Sequence, residues 1–145
     1  MIFTYRAWAF QIALCFVKII EEVGDKIRPW WLEEPCRWED DRQCSTLSKR
    51  RIEASIPISG GESKISSFGS GKLLEDNIVD ILQFDVAIYG GLIEGKKMMN
   101  LCQLNHVEVA PYYDSFIHSH LVASSNAGLI VDAFVILKLC ERLKL

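Results

Sequence analysis

Acidic side chains recur along this 145-residue chain at a spacing that could support chemistry. Glu33 and Glu34 stand side by side in WWLEEPCRWED, Glu62 closes a Gly-Gly-Glu, Asp85 follows a Gln-Phe, and Asp132 follows GLIV. Between the last two, Pro111-Tyr112 ends another apolar run, with Asp114 close behind. From Glu33, the steps to Glu62, Asp85, Tyr112 and Asp132 are 29, 23, 27 and 20 residues. Two neighbouring carboxylates repel, and each becomes costly as it loses water, so such a pair is either fully solvated or held by a cation. Carboxylates converging from several segments point to a hard divalent cation with oxygen ligands.

The elements that must position these residues follow from the pattern around them. Each acidic position comes just after a short apolar run: WWL (30–32), IPIS (56–59), VDILQF (79–84), VEVA (107–110) and GLIV (128–131). Helical patterns fill the intervals at about 38–51, 66–76, 92–105, 115–124 and 133–144, and a further helix at about 6–23 precedes the first run, with Gly24 and Pro29 punctuating its end. Strands alternating with helices predict an α/β fold with a parallel sheet of right-handed βαβ units, a single domain over 1–145. The steps match one βα unit each, which places the carboxylates at the C-terminal ends of consecutive strands, the edge where such sheets build their sites. The plainer alternative for any one of them is a helix N-cap or a first-turn dipole partner.

Composition excludes several classes. The chain is 50% hydrophobic and 24% charged, enough apolar content for a packed core. A net charge of -3, with Lys49-Arg50-Arg51 as the one basic run, gives no electrostatic footprint for nucleic acid. The apolar run AWAFQIALCFV at 7–17 is too short for a membrane span, which needs roughly 20 residues, and no cleavage pattern follows it. No membrane association is therefore expected. Five cysteines without a CxxC spacing fit neither a disulfide framework nor a zinc knuckle, and read as reduced thiols in a cytoplasmic protein.

Taken in order, WWLEEP, IPISGGES, VDILQFDV with YGG and LIEGKK behind it, and HSHLVASSNA resemble the enolase superfamily, in its mandelate racemase, muconate lactonizing enzyme and acid-sugar dehydratase branch. The series runs from about Trp30 to Asp132. The resemblance implies a (β/α)8 TIM-type barrel of which this chain is the C-terminal part, about the last five βα units, with the capping domain and first strands absent. It also implies Mg²⁺ at the strand ends, with Glu33 and Glu62 as metal ligands and Glu34 behind them. Asp85 matches an Asp that orients a catalytic His on the next strand, and Asp132 falls where a Glu bonds the substrate carboxylate. The implied reaction is proton abstraction next to the carboxylate of a hydroxy acid or sugar acid, through an enediolate, with dehydration ahead of racemisation.

Two departures qualify that expectation. Where the resemblance implies a Pro-His base, the chain has Pro111-Tyr112, and a phenol with an ordinary pKa of about 10 is a poor base at neutral pH. The chain is also short of the ~250 residues of a full barrel, and nothing from Met1 to Arg6 is acidic. An interior apolar face open to water and two unpaired edges are expected, and with them a homo-oligomer or a complement with a separately encoded N-terminal half. The alternative is a non-catalytic truncated fragment or interaction partner. Among the other candidates, His118-x-His120 as ligands, Lys96 and Lys97 on substrate, and Cys36 as nucleophile all have plainer structural readings; His106 suits a helix C-terminus, and Asp114 is a further polar group for the site.

Overall fold

The apolar runs become short strands that hydrogen-bond side by side in chain order. The structure, a computed structural model, describes residues 4–6, 9–24, 28–37, 39–54 and 56–132. The strands are β1 (Thr4–Arg6), β2 (Trp31–Glu33), β3 (Ile58–Gly60), β4 (Ile81–Leu82) and β5 (Glu108–Val109). All pair in parallel, in the order β1-β2-β3-β4-β5. The helices are α1 (Phe10–Val23), α2 (Asp41–Ala54), α3 (Ser67–Glu75), α4 (Val86–Tyr89), α5 (Leu92–Leu104) and α6 (Ser115–Ala123). Parallel strands that add in sequence order, each followed by a helix, are the arrangement of a (β/α) barrel, here present in part.

Alternation along each strand sorts the core into two layers. Leu32, Ile58, Leu82, Phe84 and Val109 share one buried cluster with Ala13, Val17 and Ile20 of α1, Leu47 of α2, Leu73 of α3 and Met99 of α5. The spacing of Ala13, Val17 and Ile20 puts them on one face of α1, while Ile12 and Ile19 on the other face stay exposed. Each large side chain buried in this layer contributes roughly 1.5–3 kcal/mol. The alternate residues Trp31, Ile81 and Ala110 form a second cluster, and Leu129 packs against it.

That second cluster corrects one expectation. The interior face is not open to water at these positions, because Trp31, Ile81 and Ala110 are buried and the segment after Gly128 folds Leu129 onto them. The same segment covers part of the expected free edge. The run at 128–131 is not a full strand: it makes one bridge, Val109 to Gly128, flanked by hydrogen bonds from Val109 N–H to Ala127 O and from Leu129 N–H to Val109 O. Two elements lay outside the sequence pattern. Residues 4–6, ahead of the helix expected at about 6–23, form β1 beside β2. The four-residue α4 was too short to show a period. The helix expected at 133–144 lies outside the described residues.

Candidate functional site

The loops that leave the C-terminal ends of the strands carry every acidic position singled out above. Glu33 is the last residue of β2 and is half-buried, its Oε2 accepting the indole N–H of Trp31 at 3.1 Å. Its register partners are Arg6 on β1 and Ser59 on β3. Glu34 turns away at a positive φ of 40°, and its carboxylate is buried. Glu34 Oε1 accepts the Gly61 N–H at 2.8 Å, and its own N–H donates to Ser59 O. The adjacent pair Glu33–Glu34 is thus divided: one carboxylate stays at the strand end, while the other locks the β2 loop to the β3 loop.

Gly60-Gly61 makes that lock possible. Gly61 has φ +111°, and a Cβ there would lie 2.9 Å from Leu82 Cδ1 and 3.1 Å from Gln83 O. A Cβ on Gly60 would meet Glu34 Oε1 at 3.1 Å. Glu62 follows directly and is half-buried in the turn before α3, whose own N-cap is Ser66.

Asp85 leaves β4 almost fully buried. Its Oδ1 accepts the Ala87 N–H at 2.9 Å and so caps α4. The imidazole that faces it comes from α6: His118 Nε2 lies 3.5 Å from Asp85 Oδ1 and accepts the Val86 N–H at 3.1 Å. His118 is fully buried, and its Nδ1 has no hydrogen-bond partner. Burial pushes its pKa below the usual 6.5, against the opposing pull of Asp85 and Asp114. A neutral ring with no exposure, accepting the Val86 N–H, braces the β4 loop. Sequence reasoning singled out His118 only as half of an H-x-H, since nothing local marks a contact 33 residues away.

Tyr112 is half-buried at the end of β5, tied by its N–H to Phe84 O at 3.0 Å and so held next to the Asp85 loop. Tyr113 behind it takes φ 84°, an unusual conformation for a residue with a side chain. Asp132 is drawn to the same edge, its N–H donating to Pro111 O at 3.3 Å. Asp114 is the N-cap of α6, with Oδ1 accepting from Phe116 and Ile117 N–H. Lys96 ties α5 to α6 through Ser124 O at 2.7 Å, and Lys97 pairs with Glu94, so both serve helix surfaces.

The edge therefore gathers carboxylates and a phenol from successive parallel strands. Hard oxygen donors of this kind are the type that suits Mg²⁺. Among the described residues no three of His, Cys, Asp and Glu come together in a group that could hold a metal ion. Glu33 at the end of β2 and Glu62 just after β3 lie at neighbouring strand ends. Among the described residues no helix is long and apolar enough to cross a membrane.

A parallel α/β sheet with acidic strand ends at its C-terminal edge defines a partial barrel of the kind that carries its chemistry there. The chain belongs to the enolase C-terminal domain-like family, whose model matches residues 5–143. It is 29% identical over 114 residues to a D-galactonate dehydratase family member of Oceanicola granulosus, covering 79% of this chain and 26% of that protein. It is 34% identical over 82 residues to a D-galactarolactone cycloisomerase of Agrobacterium fabrum, covering 57% of this chain and 21% of that protein. Among solved structures, L-talarate dehydratase from Polaromonas sp. JS666, complexed with Mg and L-glucarate, superposes with TM-score 0.78 at 25% identity, covering 90% of this chain and 36% of that one. A mandelate racemase/muconate lactonizing enzyme from a marine actinobacterium superposes at TM-score 0.79 and 23% identity, over 98% of this chain and 39% of that one. The chain spans about a quarter of the length of the curated relatives it matches.

Proposed function

We propose that this chain supplies the C-terminal face of an acid-sugar dehydratase-type site, in a cytoplasmic protein, which removes a proton next to the carboxylate of a sugar acid. The observation that carries the reading is the delivery of Glu33, Glu62, Asp85, Tyr112 and Asp132 to one edge by consecutive parallel elements. It is supported by relatives named as D-galactonate dehydratase and L-talarate dehydratase. Mg²⁺, when bound, supplies charge stabilisation for an enediolate. Glu33 and Glu62 are the residues that would hold it, and Glu34 fixes the loop that presents Glu62.

The remaining roles fall to this chain's own groups. Tyr112, as phenolate, takes the proton; Asp132 accepts from the sugar acid's hydroxyl groups and so orients the substrate; and Asp85, capping α4, with His118 accepting the Val86 N–H, holds the β4 loop beside Tyr112. A phenol in that role gives turnover that climbs as the pH is raised towards alkaline values. The site is completed by a second copy or by a separately encoded N-terminal half.

A second reading, a chain retained for interaction without catalysis, is favoured by the shortage of a third clustered ligand among the described residues and by a tyrosine where a histidine base was expected. Incubation of the full chain with Mg²⁺ and D-galactonate or galactarate, with keto-acid product followed by semicarbazone absorbance, separates the two. Dehydration that is lost in Glu62→Gln and Tyr112→Phe supports the first reading. A folded chain that forms no product at any pH, both alone and with the N-terminal half of a dehydratase relative added, replaces it with the second.

A further inference from the structure

Beneath the end of β2 lies a cavity lined by Glu34, Pro35, Cys36, Cys44 and Lys64, with Ile58 among its apolar walls. Cys36 sits on the loop that leaves β2 and is 1% exposed. Cys44 lies in the first turn of α2, eight residues on, and is partly exposed. Their side chains are hydrogen-bonded to each other, so the two sulfurs already face one another. Neither is in a disulfide. The hydrogen bond to Cys44, burial and the nearby carboxylates of Asp40 and Glu34 push the Cys36 thiol up, so the proton stays on Cys36 and Cys44 is the sulfur left to meet an oxidant.

The other described cysteines make a useful contrast. Cys102 is fully buried among helix residues, and burial pushes its thiol up to about 12. Cys102 does not line the cavity that holds Cys36 and Cys44. Cys15 is exposed on α1, away from this cavity.

We propose that Cys36 and Cys44 are a modification site that closes to a reversible disulfide in the presence of hydrogen peroxide, tying the loop after Glu33–Glu34 to α2. In the first step the accessible Cys44 thiolate attacks a peroxide oxygen, the O–O bond breaks, and Cys44 becomes a sulfenic acid as the other oxygen leaves and is protonated to water. In the second, the Cys36 sulfur attacks the Cys44 sulfur. The S–S bond forms, the S–O bond breaks, and the hydroxide leaves as water with the Cys36 proton. Two thiols are oxidised and one peroxide is reduced, with two waters formed. Burial of Cys36 suits it to the resolving step, since it is shielded from the oxidant but adjacent to the sulfur it must attack. The bridge lies directly behind Glu34, whose carboxylate anchors the Gly61 N–H, so closing it stiffens the loop that carries Glu33.

The test uses the full chain, exposed to hydrogen peroxide, blocked with an alkylating reagent and digested with trypsin. Cleavage at Arg37 and Arg42 separates Cys36 from Cys44, so only a disulfide keeps their peptides together. The expected result is a joined peptide lighter by two hydrogens than its parts, released by a thiol reductant and absent from Cys44→Ser. The measurement on the unaltered chain stands whether or not that variant folds. Sulfinic or alkylated Cys44 beside a reduced Cys36, or a cross-link that joins Cys44 to Cys15 instead, overturns the proposal.

Discussion

The two ends of the same strands are built on different rules. Where β2, β4 and β5 begin, the chain arrives from a helix and reverses through a left-handed residue: Gly24 after α1, Asn77 after α3 and His106 after α5. At the last two, the following N–H reaches back five residues, Ile78 to Leu73 O and Val107 to Cys102 O, in the manner of a Schellman closure. Asp80 adds a carboxylate that accepts the Ile58 N–H at 2.8 Å and fixes strand register. Glycine and asparagine tolerate this geometry at little cost.

At the opposite end the left-handed positions include Glu34 and Tyr113, residues that do not favour it. Here too are the buried carboxylates Glu34 and Asp85 and the unpartnered Nδ1 of His118. Backbone strain and buried polar groups of this kind persist only where the surrounding structure holds them, and they gather at functional edges. The comparison separates an end that holds the fold from an end that spends stability on placing chemical groups.

Changes at each end should break or sharpen that contrast. The largest effect is expected from Gly61→Ala, which combines a forbidden φ with contacts against Leu82 and the Gln83 backbone. A loss of about 3 kcal/mol in urea unfolding is predicted, whereas Asn77→Gly at the opposite end should move the midpoint little.

His118→Ala comes next. It removes the acceptor for Val86 N–H in a buried setting, a loss of about 1–3 kcal/mol. His118 also sets a pH dependence. Its folded pKa lies below 6.5, so the unfolded chain takes up the proton first. Stability is full above that value and is lost as the pH falls from it through the folded pKa. Unfolding curves across this range should show the slope in the unaltered chain and a reduced one in His118→Ala.

The smallest effect is a gain. Tyr113 is half-exposed, and Tyr113→Gly relieves its left-handed backbone, raising stability by about 1 kcal/mol. The same change at His106 should give less, because that residue sits in a helix-closing turn where a left-handed conformation is usual.

What could be seen in the sequence was whatever repeats with a period. The strand–helix alternation gave the parallel sheet, and the recurring acidic residues after apolar runs gave its chemical edge, because one βα unit sets both spacings. Individual roles were less visible. Glu34 belongs with Gly61, 27 residues on, and Asp85 with His118, 33 residues on. Such pairs are fixed by how helices pack on the sheet, and no local pattern carries that. The short β1 and α4 were missed for a related reason: β1 is defined by its pairing to β2, and α4 by the Asp85 cap, rather than by any period of their own. Burial of Trp31, Ile81 and Ala110 was missed because it depends on Leu129, which arrives about 100 residues after Trp31 in the chain.

The most direct test of the account is a calorimetric titration of Mg²⁺ into the full chain and into a Glu33→Gln, Glu62→Gln double variant, both checked for folding. Two carboxylates with water in the remaining positions predict a weak site, with a dissociation constant on the order of 10⁻⁴–10⁻³ M, that vanishes in the double variant. A chain that binds no Mg²⁺ at millimolar metal, or one whose binding is the same in the double variant, would contradict the assignment of Glu33 and Glu62 to the metal-facing edge.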